Sequence, residues 1–286
     1  MLARPRFVVR KSPLARAQRV CPLGRSSSHL VWWPLAILRT SSRLLGIAFL
    51  FAGILSCDLL FSREVPCVIA REKSSYIENG TVAAARFTGQ PDAQGFPAET
   101  AWKSASPVQF DHDWQGKNAD PQRSTEVRLL WNKDNLFLRL AVRYRVITVF
   151  PDAEPSGHRD ELWERDVAEV FLQPPGSAAR SYKEFEVSPN GYWIDLDIAP
   201  GEKHDLQSGL MRRVTIDEKN KMWTAELALP MKSLTADFDP AAAWRVNFYR
   251  VEGAAEPRFY SAWQPTGTPT PNFHVPEAFG KLIFDN

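Results

Sequence analysis

Trp163-Glu164-Arg165-Asp166-Val167-Ala168-Glu169-Val170-Phe171 places a tryptophan and three carboxylates ahead of, and inside, a run that reads as a buried β-strand. From Asp166 onward, period two puts Ala168, Val170 and Leu172 on one face. Val167, Glu169 and Phe171 take the other. A glutamate between valine and phenylalanine is either a partnered polar group of a core or a group that reads a ligand. Trp163, in the loop feeding the strand, is a candidate platform beside it.

Working outward, short strands and turn signals alternate along the chain. Glu126–Trp131 and Leu136–Tyr144 both alternate and flank the turn Asn132-Lys-Asp-Asn135, which predicts a hairpin. Tyr182–Ser188 and Trp193–Ile198 flank Pro189-Asn190-Gly191-Tyr192, where Asn-Gly supplies positive φ cheaply. Arg212–Ile216 and Trp223–Leu229 form a third pair. Pro107–Phe110, Trp244–Glu252, Arg258–Trp263 and Lys281–Phe284 are further strands, and Met231–Leu234 after Pro230 is one helical turn. Strands at this spacing, with almost no helical periodicity, predict an all-β fold, an antiparallel β-sandwich.

Ahead of this domain the composition changes. Residues 1–43 are basic and carry no acidic residue, which fits a leader or a mis-called start. Leu44–Phe61 is apolar apart from Asp58, so residues 44–70 read as an export signal with its cleavage region, or as a membrane anchor. Cleavage near Ala70 and lipidation at Cys57 are competing expectations, and residues 71–88 read as a tether to a domain over 89–286. From Arg71 onward 25 Lys+Arg stand against 31 Asp+Glu, so a basic nucleic-acid surface is not indicated. Cys21, Cys57 and Cys67 all precede the domain, which excludes internal disulfides and cysteine catalysis there. The expected setting is periplasmic, secreted or membrane-anchored, with membrane contact only through the N-terminal segment or a lipidated Cys57.

Eight tryptophans follow residue 71. Trp102, Trp131, Trp223 and Trp244 lie in or beside alternating strands and are core candidates. Trp114, Trp163 and Trp263 lie in loops or at strand ends beside Asp, Glu and Gln, where a flat apolar face can stack on a sugar ring while neighbours bond its hydroxyls.

The Trp163–Phe171 segment resembles the W-E-x-D-x-x-E-[IV]-F signature of family 9 carbohydrate-binding modules. Val127-Arg-Leu-Leu-Trp131 through Leu136-Phe-Leu138 is similar to that family's hairpin, and Ser261-Ala-Trp263 with Phe279-Gly280-Lys-Leu282 to its closing segment. The resemblance runs from about Gly89 to Asn286. It implies a jelly-roll or immunoglobulin-like sandwich related to DOMON folds, in which two aromatic rings clasp a terminal sugar and the module accompanies polysaccharide breakdown. On this resemblance Trp163 is the first ring, Phe273 stands where the second is tryptophan, and Glu169 is the sugar-bonding glutamate. Glu186 occupies the place of a sugar-bonding arginine and reverses its charge. Trp263 is expected to support the wall. The ligand implied is an oligo- or polysaccharide; the oligomeric state is open.

Catalytic, metal and haem chemistry are weaker readings. Glu164, Asp166, Glu169, Glu184 and Glu186 supply carboxylates, but sugar binding alone accounts for Glu169, and no catalytic residue is assigned. The histidines lack zinc-site spacing. Asp111 with Asp113, and Asp195 with Asp197, are calcium candidates, with a solvated face as the alternative. Haem held by Met211, Met222 or Met231 with His204 or His274 is the alternative cofactor reading, so a haem-binding redox module is the alternative function.

Overall fold

The structure is a computed structural model that describes residues 80–285. The expected leader, the apolar run, Cys57 and the first half of the tether lie outside the described residues. Among the described residues no helix is long and apolar enough to cross a membrane.

The strands are β1 (Thr81–Arg86), β2 (Val108–Phe110), β3 (Thr125–Trp131), β4 (Asn135–Arg143), β5 (Val167–Gln173), β6 (Tyr182–Val187) and β7 (Trp193–Ala199). They continue with β8 (Glu202–Asp205), β9 (Met211–Asp217), β10 (Met222–Pro230), β11 (Trp244–Glu252), β12 (Phe259–Ala262) and β13 (Gly280–Phe284). An α-helical turn, α1 (Met231–Leu234), falls where Pro230 predicts it.

The strands join along one path, β8-β7-β6-β5-β11-β13-β1-β3-β4-β10-β9, with β12 added to β11 and β2 to β3. The path curls back on itself, so its two halves face each other. Ala168, Val170, Leu172, Phe185, Val246 and Phe248 of one half share a buried cluster with Val82, Leu129, Leu138, Leu140, Trp223 and Leu227 of the other. That shared interior makes the fold the expected β-sandwich, and the period-two alternation is what fills it. The outer face of the β3–β4–β10 half is covered separately by Phe87, Phe96 and Trp102 on Leu130 and Phe137.

Two features depart from the sequence reading. Thr81–Arg86, inside the expected tether, is a strand lying parallel to both β13 and β3. It is therefore covered on both faces. Small alanines replace the polar–apolar alternation that marks a half-buried strand. β8 is the other omission: all four of its residues are exposed, so no hydrophobic signal marks it.

Gly280 shows why an F-G pair closes the chain. A Cβ there would lie 2.4 Å from the Gly80 carbonyl oxygen and 2.7 Å from the Trp263 ring. Only glycine lets the end of the chain pack that closely.

Candidate functional site

The outer face of the β5–β6–β7–β11 half carries the unusual chemistry. Antiparallel register sets Glu169 opposite Glu186 and, on its other side, opposite Tyr249. Glu184 faces Phe171 across the same ladder. Being two residues apart, Glu184 and Glu186 project on the same face as Glu169. Like charges directly opposite one another destabilise a sheet, yet all three carboxyls sit here, 1–3 % exposed. One oxygen from each lies within 4.8 Å of the others. Among the described residues, no N–H or hydroxyl donates to Glu169 Oε1, Glu184 Oε2 or either oxygen of Glu186.

These carboxyls form the floor of a cleft of about 350 Å³. One wall is Trp163, half-buried on the 3-10 turn Leu162–Glu164. Arg258 fixes that turn by donating from Nη2 to the Trp163 carbonyl, while its Nε donates to Gly253 O at 3.1 Å. The opposite wall is the 271–274 loop. Phe273 stacks on Tyr249 with ring centroids 4.3 Å apart and 15° between planes, and the Tyr249 hydroxyl donates to the Phe273 carbonyl at 3.0 Å. Tyr260 meets Phe273 edge-on. Lys203, from β8, places its ammonium 4.5 Å over the Trp163 ring and 3.3 Å from Asp160. His274 lies 3.8 Å from Glu184 and 2.5 Å from the Tyr182 hydroxyl.

Burial is the main reason all three carboxyls hold protons above the usual carboxylate range. For Glu169 the Glu184 charge adds to it, against a smaller opposing pull from Arg258. Glu186 feels burial, then the charges of Glu169 and Glu184, and in its protonated form it donates to Glu184. Glu184 is raised by burial, with that hydrogen bond, His274 and Lys203 pulling the other way. Burial likewise raises Tyr182 and Tyr249, with the neighbouring carboxylates adding to it. The trio thus exchanges protons as a unit.

Trp163, Glu169, Glu186 and Phe273, named from the sequence, come together around this one cleft. Trp263 does not. It packs in the sandwich interior against Phe248, because the neighbouring Ala262 takes the outer face and alternation turns residue 263 inward. Glu184 completes the floor, a place that period two from Glu186 makes readable. Lys203 and Arg258 carry no comparable signal: one sits on an all-exposed strand and the other at a loop end.

Three of the four calcium candidates are otherwise engaged. Asp113 accepts from the N–H groups of Gln115 and Lys117 and from Asn118, tying its own loop. Asp195 accepts from the backbone of Gln207 and Ser208 and from the Ser208 hydroxyl. Asp197 is exposed and pairs with Lys183 at 3.2 Å, and Asp111 is half-buried. Oxygens already facing N–H donors do not fit a cation. The trio is the one group of three or more His, Cys, Asp or Glu side chains among the described residues whose ligand atoms are close enough to hold a metal ion. The haem residues are dispersed: Met231 is in the interior, Met211 lies against Gly95, and Met222 lines a cleft on the other half. His204 is exposed, while His274 stands at the carboxyl cleft. Those residues do not fit an axial pair. The Met222 cleft is larger, about 430 Å³, but both of its carboxylates are paired within it, Glu99 with Arg139 and Glu126 with Arg128.

The sequence model of the carbohydrate family 9 binding domain-like family matches residues 95–286. The chain belongs to that family. A family 9 module from Caldicellulosiruptor kristjanssonii in complex with cellotriose has the same fold, with TM-score 0.51 and 13% identity over 72% of this chain and 94% of that one. A Bacteroides uniformis protein proposed to bind carbohydrate superposes with TM-score 0.58 at 17% identity, over 72% of this chain and all of that one. A relative from Arthroderma benhamiae described as an extracellular protein is 23% identical over 194 residues, 62% of this chain and 85% of the relative. Membership in the carbohydrate family 9 binding domain-like family accounts for the ordered motifs of the sequence, and the chain is a carbohydrate-binding protein in that sense.

Proposed function

We propose that the cleft between Trp163 and Phe273 binds one unit of an oligo- or polysaccharide and that the protein catalyses no reaction. The observation that carries this reading is a half-exposed tryptophan face standing beside buried carboxyl oxygens that no N–H or hydroxyl among the described residues satisfies. The ring of Trp163 offers a flat apolar contact, and Glu169 and Glu186 accept from sugar hydroxyls that reach the floor. Phe273, locked onto Tyr249, limits the cleft from the other side. Glycoside hydrolysis needs two carboxyls flanking the scissile bond, about 5 Å or 6.5–9.5 Å apart. Here the carboxyls crowd together on one floor, which suits reception of donors better than attack from two sides. An exported setting follows from the Leu44–Phe61 run and agrees with the extracellular relative, and mass spectrometry of the mature N-terminus tests it.

Calorimetric titration of the protein with oligosaccharides tests the binding reading. Trp163→Ala is expected to lower affinity by at least about tenfold, the equivalent of ~1.4 kcal/mol, with the melting temperature little changed. Unaltered affinity in that variant, in a protein that does bind sugar, would place the ligand elsewhere.

A further inference from the structure

Resting on the saccharide reading of this cleft, we infer that its preferred ligand is a saccharide carrying a protonated amine, seated with its ammonium on Glu169, Glu184 and Glu186 and its ring against Trp163.

The first reason is geometric. Three oxygens each within 4.8 Å of the others leave a central point no more than about 2.8 Å from all three. That is the length of a charge-assisted N–H to carboxylate bond. A primary ammonium has three N–H donors and no acceptor, so it matches three acceptors converging from one side. A sugar hydroxyl brings one donor and leaves the remaining oxygens unserved.

The second reason is charge. The floor of the cleft is three buried carboxyls on adjacent strands, without an arginine or lysine among the described residues bonded to any of them. Arg258, the cation that acts on Glu169, spends its guanidinium on backbone carbonyls and on Tyr260. A ligand that brings its own positive charge supplies what the floor lacks, and a neutral sugar does not.

A third, independent observation concerns the wall. An ammonium already stands on the Trp163 face, that of Lys203, 4.5 Å from the ring centroid. It is on an exposed side chain anchored only to Asp160, so it is displaceable. The platform therefore has the geometry of an aromatic seat for a cation next to a carboxyl floor.

The test is calorimetric titration of the protein at about pH 6, below the pKa of an aliphatic amine. The probes are a glucosamine trisaccharide with all amines free, its fully N-acetylated counterpart, and cellotriose. The free-amine trisaccharide is expected to bind at least about tenfold more tightly than either neutral one. Glu186→Gln, nearly isosteric and checked for an unchanged fold by its melting curve, is expected to abolish that preference by lowering the affinity for the free-amine trisaccharide by a larger factor than the affinity for cellotriose. Equal or tighter binding of cellotriose to the native protein would overturn the inference while leaving the saccharide reading intact. An amine preference untouched by Glu186→Gln would also overturn it, because the ammonium would then sit elsewhere. Calcium binding that Glu186→Gln removes, with no saccharide bound, would overturn both readings and make the trio a metal site. Absence of binding by every probe would do the same to both.

Discussion

Replacing Glu186 with leucine is expected to stabilise the fold while destroying the site. Glu186 is 1 % exposed, neither of its oxygens receives an N–H or hydroxyl from the described residues, and it faces Glu169 across the ladder. A buried polar group left without a partner costs about 1–3 kcal/mol. Apolar replacement of buried charged groups gains about 1–4 kcal/mol in measured cases. A leucine side chain at this position would lie opposite Ile194 on β7, so Glu186→Leu would extend an apolar row already present. A gain of about 2 kcal/mol is therefore expected, or roughly 4–8 °C in Tm for a domain of this size. The gain should depend on pH, with a definite sign. Burial raises the pKa of Glu186 above its unfolded value of about 4.3. Between those two values the folded state holds more protons than the unfolded state, so native stability falls as pH rises. The variant lacks that loss, and its advantage should be small near pH 4 and grow toward pH 8. Differential scanning calorimetry of both proteins across this range measures the gap. A variant less stable than the native protein at neutral pH would refute the reasoning, as would a gap that does not change with pH. Either result would mean that the carboxyl is satisfied and structural.

Two further perturbations probe the charges buried at the end of the sandwich. Arg250 is fully buried and bonds Glu252 at 2.5 Å, and burial lowers its pKa only to about 10, so it stays charged at neutral pH. Glu252→Ala should cost about 3–5 kcal/mol in urea unfolding, because it strands that charge; a cost under about 1 kcal/mol would show that carbonyl acceptors suffice. Burial pushes Asp166 up to about 6, against the N–H bonds from Gly253 and Thr148. Its contribution is full below about pH 4 and lost as pH rises through about 6, a change on the order of 3 kcal/mol. Asp166→Asn should flatten that part of the stability profile, and an unchanged slope in the variant would assign the loss to other groups.

The strands that alternate were legible because each has one partner-facing side and one different side. Trp244–Glu252 coincides with its predicted span, and the hairpin β3–β4 follows its Asn132 turn, whose side chain receives the N–H groups of Asp134 and Asn135. β1 was hidden because a strand between two parallel neighbours has no polar face to announce it. In the site, Trp163 and Glu169 were visible as polar intrusions in an apolar run. Phe273 and Glu186 rested on the family pattern. Trp263 was misplaced for a reason of parity: a strand end beside Gln264 looks like a site margin, but one residue decides which face a side chain takes, and no local feature fixes that register. Lys203 and Arg258 reach the cleft only through tertiary packing, across 43 residues to Asp160 and 95 to Trp163.

The same half of the sandwich carries two buried charge groups, and they are built in opposite ways. Toward the interior, Arg250 has Glu252 beside it, with Asp166 close enough to act on its charge, and Asp166 holds two backbone N–H groups. Nearly every charge there has a partner from a neighbouring segment, as packing alone requires. On the outer face, Glu169, Glu184 and Glu186 have mainly one another for neighbours, and they line a cleft walled by tryptophan and phenylalanine. Packing gains nothing from that arrangement, since leucine or threonine would fill either position without the repulsion. A fold that pairs its interior charges with care but leaves three carboxyls unserved at a cleft supports the proposal that they receive something from outside. The absence, among the described residues, of any arginine or lysine bonded to that floor then bears on the arriving group, and it is the strongest structural reason to expect that group to be positively charged.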